Sequence, residues 1–228
     1  MKRIFILAAT AAAVMGCSGK NNAEFVDVIA LGAKVSEVKC PQQYGDGSFF
    51  IIANEWVANH DTVGIAYDAR IVKGSEWLSF KENGSDAISR KGSGYLEFEF
   101  TTNRGLRRCA TIMIQSGNRR DSLKVKQEGL YSESIKLVSD LPSGYKVPEE
   151  GGNYSFRIES DILPAELMVK KARGLGEAYM SGNILYVEIL PSDSRDERKI
   201  DVTVYKLDAW GEEISSTVTL TQLRSRLL

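Results

Sequence analysis

Hydrophobic and polar residues alternate with a period of two along most of the chain. In residues 154–159, Tyr, Phe and Ile alternate with Ser, Arg and Glu, and in residues 217–222 Val and Leu alternate with polar residues, mostly threonines. Successive side chains of a β-strand point to opposite faces, so this period is typical of strands with one buried and one solvated face. Short strands separated by Gly, Asn and Asp favour antiparallel sheets packed as a sandwich. The pattern therefore predicts an all-β protein.

The strand pattern occurs twice, with an offset of roughly 90–95 residues. Each copy consists of a glycine turn, a strand, a divergent middle and three closing strands, of which the second begins with arginine and the last ends with glutamine. The closing strands cover 94–100, 107–114 and 122–127 in the first copy and 182–189, 198–204 and 217–222 in the second. The repeat predicts two tandem modules, over residues 31–130 and 131–228, with the boundary near residues 129–132.

Two segments of the second copy depart from this pattern. Residues 164–171 could form one or two helical turns, although their position in the repeat favours a strand. Residues 207–216 are mostly polar and are predicted to form a longer loop than the corresponding turn of the first copy.

The N-terminal segment has the pattern of a bacterial lipoprotein signal. Two basic residues precede an apolar run over 4–14, which is shorter than the about 20 residues that a spanning helix needs. The run leads into Val-Met-Gly-Cys at 14–17, which resembles a lipobox, in which the cysteine thiolate accepts a diacylglycerol. We predict a signal peptide over 1–16, lipidation of Cys17 and a polar tether over 17–30. An uncleaved spanning helix and a plain cleavage site near an unmodified cysteine are the alternatives.

Lipidation of Cys17 would fix where the protein resides. Two or three acyl chains hold a protein durably on a membrane. Ser18, not Asp, follows the cysteine, which favours sorting to the outer membrane. No acidic run follows, which favours the periplasmic side over the cell surface.

Composition and charge limit the classes of partner. The chain has 228 residues, a 43% hydrophobic share and a formal net charge of −1. This composition supports packed cores, and the charge gives no basis for binding nucleic acid.

The other two cysteines leave two alternatives open. An oxidising periplasm permits a disulfide between Cys40 and Cys109, which would stabilise the fold by about 4 kcal/mol. The alternation around Cys109 points its side chain away from the inward face, which instead favours two half-buried free thiols.

The order of the motifs resembles the BACON domain family, whose name denotes Bacteroidetes-associated carbohydrate-binding, often N-terminal. The motifs are a Gly-Gly-led strand over 151–156, Trp77-Leu78, Arg108 and Val-Lys-Gln at 125–127. The resemblance covers most of both copies, and it implies immunoglobulin-like β-sandwiches and glycan binding. The second copy departs from the family pattern because Tyr179 stands where the tryptophan is expected.

The sequence offers little for catalysis or metal binding. His60 is the only histidine, which excludes multi-histidine metal sites, and no nucleophile elbow or phosphate-binding loop is present. Glu97 and Glu99 alternate with apolar residues and belong to a solvated strand face. The acidic segment 193–197 lacks the glycine and spacing of a calcium loop. We therefore predict a protein that is not an enzyme, with no catalytic residues, metal or cofactor.

Aromatic residues in polar loops are the candidate ligand-binding residues. Trp77 and Trp56 follow the apolar face of strands and are predicted to lie in the core. Trp210 lies in a polar segment and Tyr44 in a polar turn, where each could stack on a sugar ring. The alternative for Trp210 is that it covers the neighbouring module or closes its hairpin.

Five arginines lie at the two ends of the predicted strand over 107–114. They either are solvated at the strand ends or bind an anionic glycan or partner. These residues are Arg104, Arg107, Arg108, Arg119 and Arg120.

These observations support two functional hypotheses. The first is a glycan-binding accessory lipoprotein, and the second is a structural or adaptor lipoprotein that binds another envelope protein. Both place the protein at the membrane through its lipid anchor.

Overall fold

The computed structural model describes residues 28–56 and 62–225. The predicted signal peptide, Cys17, most of the tether, His60 and the side chain of Trp56 lie outside the described residues. In the part that is described, the chain forms eighteen strands and one short 3-10 helix, Pro164–Glu166. The prediction of an all-β fold with antiparallel sheets is confirmed.

The N-terminal half, residues 28–127, contains two five-stranded sheets. One has the order β1-β3-β8-β6 with β4 also paired to β3, and the other has the order β2-β10-β9-β5-β7. All pairs are antiparallel except β2 and β10. The strands are β1 Val28–Ala33, β2 Glu37–Cys40, β3 Gly45–Trp56, β4 Thr62–Gly64, β5 Ala66–Lys73, β6 Leu78–Phe80, β7 Ala87–Lys91, β8 Gly94–Phe100, β9 Arg108–Ser116 and β10 Arg119–Gln127.

The C-terminal half, residues 135–222, contains two four-stranded sheets of the corresponding order. These are β11-β13-β16-β15 and β12-β18-β17-β14, again with one parallel pair, β12 with β18. The strands are β11 Ile135–Val138, β12 Lys146–Val147, β13 Gly152–Ser160, β14 Met168–Val169, β15 Leu175–Ser181, β16 Ile184–Ile189, β17 Arg198–Leu207 and β18 Glu213–Gln222.

Each half has its own hydrophobic core between its two sheets. In the N-terminal half, Phe98 from one sheet and Ile112 from the other belong to one buried cluster. In the C-terminal half, Phe156 from one sheet and Val202 from the other belong to a second buried cluster. Each large apolar side chain buried in this way stabilises the fold by about 1.5–3 kcal/mol. Two sheets that share a core are the architecture of a β-sandwich.

Glycines at or next to the start of the third strand of each half allow a close approach. Gly151 has φ +80°, and a Cβ atom there would lie 2.0 Å from the carbonyl oxygen of Ile189. At Gly47 a Cβ atom would lie 2.5 Å from Cζ of Phe98, so the phenyl ring covers the glycine. These contacts explain why each copy of the repeat opens with glycines.

The structure changes the interpretation of two segments. Residues 164–171 contain both predicted alternatives, the 3-10 helix followed by β14. The long loop predicted over 207–216 is wrong, because β17 and β18 pair as far as Leu207 with Glu213. Only residues 208–212 form the turn. The charged residues at the end of this hairpin form ion pairs and do not alternate with apolar residues. The sequence pattern therefore did not predict strands there.

Candidate functional site

The glutamine that ends each half is a buried cross-link between the two sheets. Gln127 is fully buried, and its Nε2 donates to the carbonyl oxygens of Gln42 at 3.2 Å and Thr101 at 2.9 Å. Its Oε1 accepts from Nε of Arg108 at 2.8 Å, and Arg108 also donates to the Thr101 carbonyl at 2.9 Å. The Arg108 guanidinium lies 4.4 Å from the ring centroid of Trp77, which is buried as predicted.

The same cross-link occurs in the C-terminal half. Gln222 accepts from Nε of Arg198 at 2.7 Å and donates to the carbonyl oxygens of Pro148, Glu149 and Leu190. The arginine and glutamine of the repeat therefore have a structural role in each half, and both glutamines are fully buried.

Trp210 lies at the tip of the β17–β18 hairpin and packs against the N-terminal half. Its indole Nε1 donates to the carbonyl oxygen of Arg108 at 3.0 Å, and only 7% of the residue is exposed. The Arg107 guanidinium lies 4.4 Å from the indole centroid, and the ammonium groups of Lys39 and Lys126 lie 5.3 and 5.7 Å from it. The ring is therefore covered by the neighbouring half, which is the alternative predicted for Trp210, and it is not open to stack on a sugar.

Ion pairs surround Trp210 and complete the junction between the halves. Arg107 pairs with Glu128 at 2.9 Å, with Glu212 at 3.0 Å and with Asp208 at 3.4 Å. Asp208 in turn accepts hydrogen bonds from the backbone N–H groups of Trp210 and Glu212. The turn is thereby held in the shape that presents the indole to the N-terminal half.

A second charged cluster secures the segment between the halves. Lys206 lies 2.5 Å from both Glu133 and Glu166, and these two hydrogen bonds raise the pKa of Lys206. Leu130 and Tyr131 donate backbone hydrogen bonds to the carbonyl of Gly105. The connecting segment is therefore packed against both halves.

The five arginines that surround β9 do not form one patch. Arg107 belongs to the junction and Arg108 to the buried cross-link, while Arg119 donates to the carbonyl of Ile29 at 2.8 Å. Arg104 and Arg120 are exposed.

Cys40 and Cys109 are free thiols, so the disulfide alternative is not realised. Cys40 aligns with Gln127 on β10, and Cys109 aligns with Lys126, one position away. The two cysteines therefore point to opposite faces, with β10 between them. Their Cα atoms are two strand spacings apart, about 10 Å, which exceeds the Cα–Cα distance of a disulfide.

The two thiols are expected to differ in reactivity. Burial raises the pKa of Cys40 to about 11, whereas Cys109 is only half-buried. In a Cys17→Ser variant at pH 8, iodoacetamide should modify Cys109 faster than Cys40. The thiolate is the nucleophile, and the raised pKa of Cys40 keeps that residue protonated. Mass spectrometry of the peptides measures this difference. Protection of both cysteines that only a reductant relieves would show that they are paired.

Tyr44 remains accessible, as a ligand-binding role requires. It is 66% exposed, and its backbone N–H donates to Oγ1 of Thr102 at 3.0 Å. The ring borders a shallow groove of about 400 Å³ that Glu76 and Glu99 also line. Of the aromatic residues that line the groove only Tyr44 is exposed, and Glu76 and Glu99 provide two carboxylates as hydrogen-bond acceptors.

A stacked tyrosine pair in the C-terminal half is a candidate binding feature that sequence reasoning missed. Tyr179 on the edge strand β15 lies opposite Tyr186 on β16, with ring centroids 5.2 Å apart and planes at 17°. Tyr179 is 60% exposed although one face of its ring is covered by Tyr186. The other face of the ring is open to solvent. The signal was the alternation in β16, which puts Ile184, Tyr186 and Glu188 on its outer face.

We call this pair, together with the polar residues beside it, the tyrosine platform. Ser155 on β13 lies opposite Tyr186, and Arg157 lies opposite Ile184 on the same face. The platform thus presents an aromatic surface next to a hydroxyl, a guanidinium and the Glu188 carboxylate. Both rings project from paired strands, so the backbone holds them in place before any ligand binds.

Within residues 28–56 and 62–225, no group of three or more His, Cys, Asp or Glu side chains is arranged to hold a metal ion. Across the same residues, no helix has the length and hydrophobicity to cross a membrane.

No protein-family model matches the chain, and no curated protein matches it. Among solved structures, it is similar to a Bacteroides ovatus GH5 xyloglucanase in complex with a heptasaccharide, with 16% identity, 56% of this chain and 22% of that chain covered, and a TM-score of 0.32. Domains 5–6 of the S-layer protein SbsC share 13% identity over 88% of this chain and all of theirs, with a TM-score of 0.32. Extracellular cadherin domains 1–4 of protocadherin gamma B7 share 13% identity over 87% of this chain and 51% of theirs, also with a TM-score of 0.32.

The chain spans about a fifth of the length of the xyloglucanase. Structural similarities of this level say nothing about function. The two sheets around each core identify the chain as a β-sandwich protein.

Proposed function

We propose that the chain is a non-catalytic, lipid-anchored envelope protein of two tandem immunoglobulin-like sandwiches that binds glycans through the tyrosine platform. Lipidation at Cys17 would attach it to the outer membrane on the periplasmic side. The open face of Tyr179 is the observation that carries the glycan assignment.

The chemistry of the platform suits a neutral sugar. An aromatic ring stacks on the apolar C–H face of a pyranose, and nearby polar groups bond its hydroxyls. Ser155, Arg157 and Glu188 supply both donors and acceptors on the same face. The rings are already ordered on strands, so little conformational entropy is lost when a ligand binds.

The proposal predicts that Tyr179→Ala weakens glycan binding by at least about tenfold, equivalent to about 1.4 kcal/mol. The variant removes the open ring face, while Tyr179→Phe keeps it and should bind nearly as well as the wild type. A glycan array finds the ligand, and titration calorimetry then measures the affinity of each variant.

Tyr95→Ala is the matched control, because Tyr95 is 68% exposed on the corresponding sheet of the N-terminal half. Its affinity should equal that of the wild type. Absence of binding to every neutral glycan, or equal affinity of the Tyr179→Ala variant, would contradict the proposal.

A protein partner is the second candidate function, and the surface at the junction favours it. Leu106, Leu130 and Tyr131 are 42%, 55% and 63% exposed. Leu106 and Tyr131 also line a groove of about 290 Å³ between the halves. Exposed apolar groups at a fixed junction are typical of a protein contact. Loss of an envelope-protein complex on Tyr131→Ser, with glycan binding unchanged, would favour this adaptor function.

A further inference from the structure

A groove of about 870 Å³ crosses the outer face of the second sheet of the N-terminal half. It lies over β7, β5, β9 and the start of β10, away from both the tyrosine platform and the junction. Its polar lining residues are Asp68, Arg70, Asn83, Ser89, Gln115 and Arg120.

The strand register places these side chains in rows on one face. Arg120 lies opposite Gln115, Gln115 opposite Asp68, and Asp68 opposite Ser89. Arg70 stands in the adjacent row, opposite Met113 and Ala87. Neighbouring strands are about 4.8 Å apart, so the two arginines flank β9 on either side. Met113 and Ala87 provide an apolar surface beside them.

The two arginines outnumber the one carboxylate that lines the groove with them. Both are exposed, and neither forms an ion pair or a side-chain hydrogen bond with any residue in the described ranges. Asp68, the single acid that lines the groove, accepts from Oγ of Ser89 at 2.5 Å. In contrast, Arg107 meets three carboxylates at the junction.

The residues that line the groove can recognise the shape and the polar groups of a ligand as well as its negative charge. Guanidinium groups bind carboxylates through two parallel hydrogen bonds. Gln115, Asn83 and Ser89 already donate to Gly117, Ala87 and Asp68. The second amide N–H of Gln115 and of Asn83 and the acceptor lone pairs of the Ser89 hydroxyl suit sugar hydroxyls. Met113 suits the C–H face of a ring. The β5 and β9 backbones are already paired on both sides, so a peptide could not add to the sheet here as a strand.

We propose that this groove binds an acidic polysaccharide, with uronate carboxylates at Arg70 and Arg120 and a sugar ring over Met113. This second site goes beyond the function proposed above, because it lies in the other half and selects a charged ligand. The failure of one proposal therefore leaves the other testable.

Polygalacturonate and its fully methyl-esterified form test the site, because they share a backbone and differ in the charge of the carboxyl groups. Titration calorimetry with the full chain should show binding of polygalacturonate and at least about tenfold weaker binding of the ester. Arg70→Ala and Arg120→Ala should each weaken binding by about tenfold or more, and the double variant should abolish it. Both side chains are exposed, so the fold should remain intact, as circular dichroism can verify.

Arg104→Ala is the matched control, since Arg104 is exposed outside the groove, and Tyr179→Ala separates the two proposed sites. Both should bind polygalacturonate like the wild type. Equal affinity for the ester, unchanged affinity of the double variant, or no binding of polygalacturonate or alginate would overturn the proposal. Tighter binding of dextran sulfate than of polygalacturonate would overturn the assignment to carboxylates.

Discussion

Trp210→Ala is expected to uncouple the two halves of the protein. The wild type should resist limited proteolysis between its halves, because residues 130 and 131 bond to Gly105 and Lys206 holds Glu133. In the variant, cleavage near residues 129–134 should become rapid, and calorimetry should resolve two unfolding transitions. Removal of an aromatic anchor from the centre of an interface typically costs at least about 2 kcal/mol.

The cause of this effect is the loss of several contacts at one point. The indole bonds the carbonyl of Arg108 and lies within 4.4–5.7 Å of three cationic groups. Its removal leaves those groups facing a void and opens the buried Asp208 carboxylate, which is 5% exposed, to water. An ion pair that faces water contributes little to stability.

Tyr131→Ala is the control for this experiment, because Tyr131 is an exposed aromatic residue at the same junction. It should leave proteolysis and the unfolding profile as in the wild type. The role assigned to Trp210 fails if the Trp210→Ala variant unfolds in one transition at the wild-type temperature and stays resistant to the protease.

Gln127→Leu is expected to lower the free energy of unfolding by about 3 kcal/mol. Leucine is similar in size but cannot bond the carbonyls of Gln42 and Thr101 or the Nε of Arg108. A buried polar group left without a partner costs about 1–3 kcal/mol. Urea unfolding monitored by tryptophan fluorescence measures the change.

Gln222→Leu should have a similar effect on the C-terminal half, because Gln222 makes the equivalent bonds there. Gln43→Leu, at an exposed position, should change the free energy by less than about 0.5 kcal/mol. A Gln127→Leu variant as stable as the wild type would show that the sheets are held together by apolar packing alone.

The sequence was sufficient to predict the β class and many of the strands. The two-residue period reports which face of a strand is buried, and this information is local to the strand. The predicted closing strand 217–222 falls within β18, and the strand beginning near Arg198 is β17. The glycines, the arginine and the glutamine of the repeat were visible as motifs, although their contacts were not.

The candidate site was much less predictable. Tyr44 is exposed as a ligand-binding role requires, but Trp210 is buried at the junction. A tryptophan in a polar loop gives the same sequence pattern whether it faces a ligand or another part of the chain. The outcome depends on what lies opposite the loop, which residues distant in sequence determine.

The sequence by itself therefore determined the strands and their buried faces, because both follow from the alternation of neighbouring residues. Only the tertiary structure decided which side chains meet across strands. The Tyr179–Tyr186 stack, the separation of Cys40 from Cys109 and the placement of Arg70 near Arg120 all depend on register. Register is set by pairing between strands far apart in the chain, and a shift of one residue would move each side chain to the opposite face.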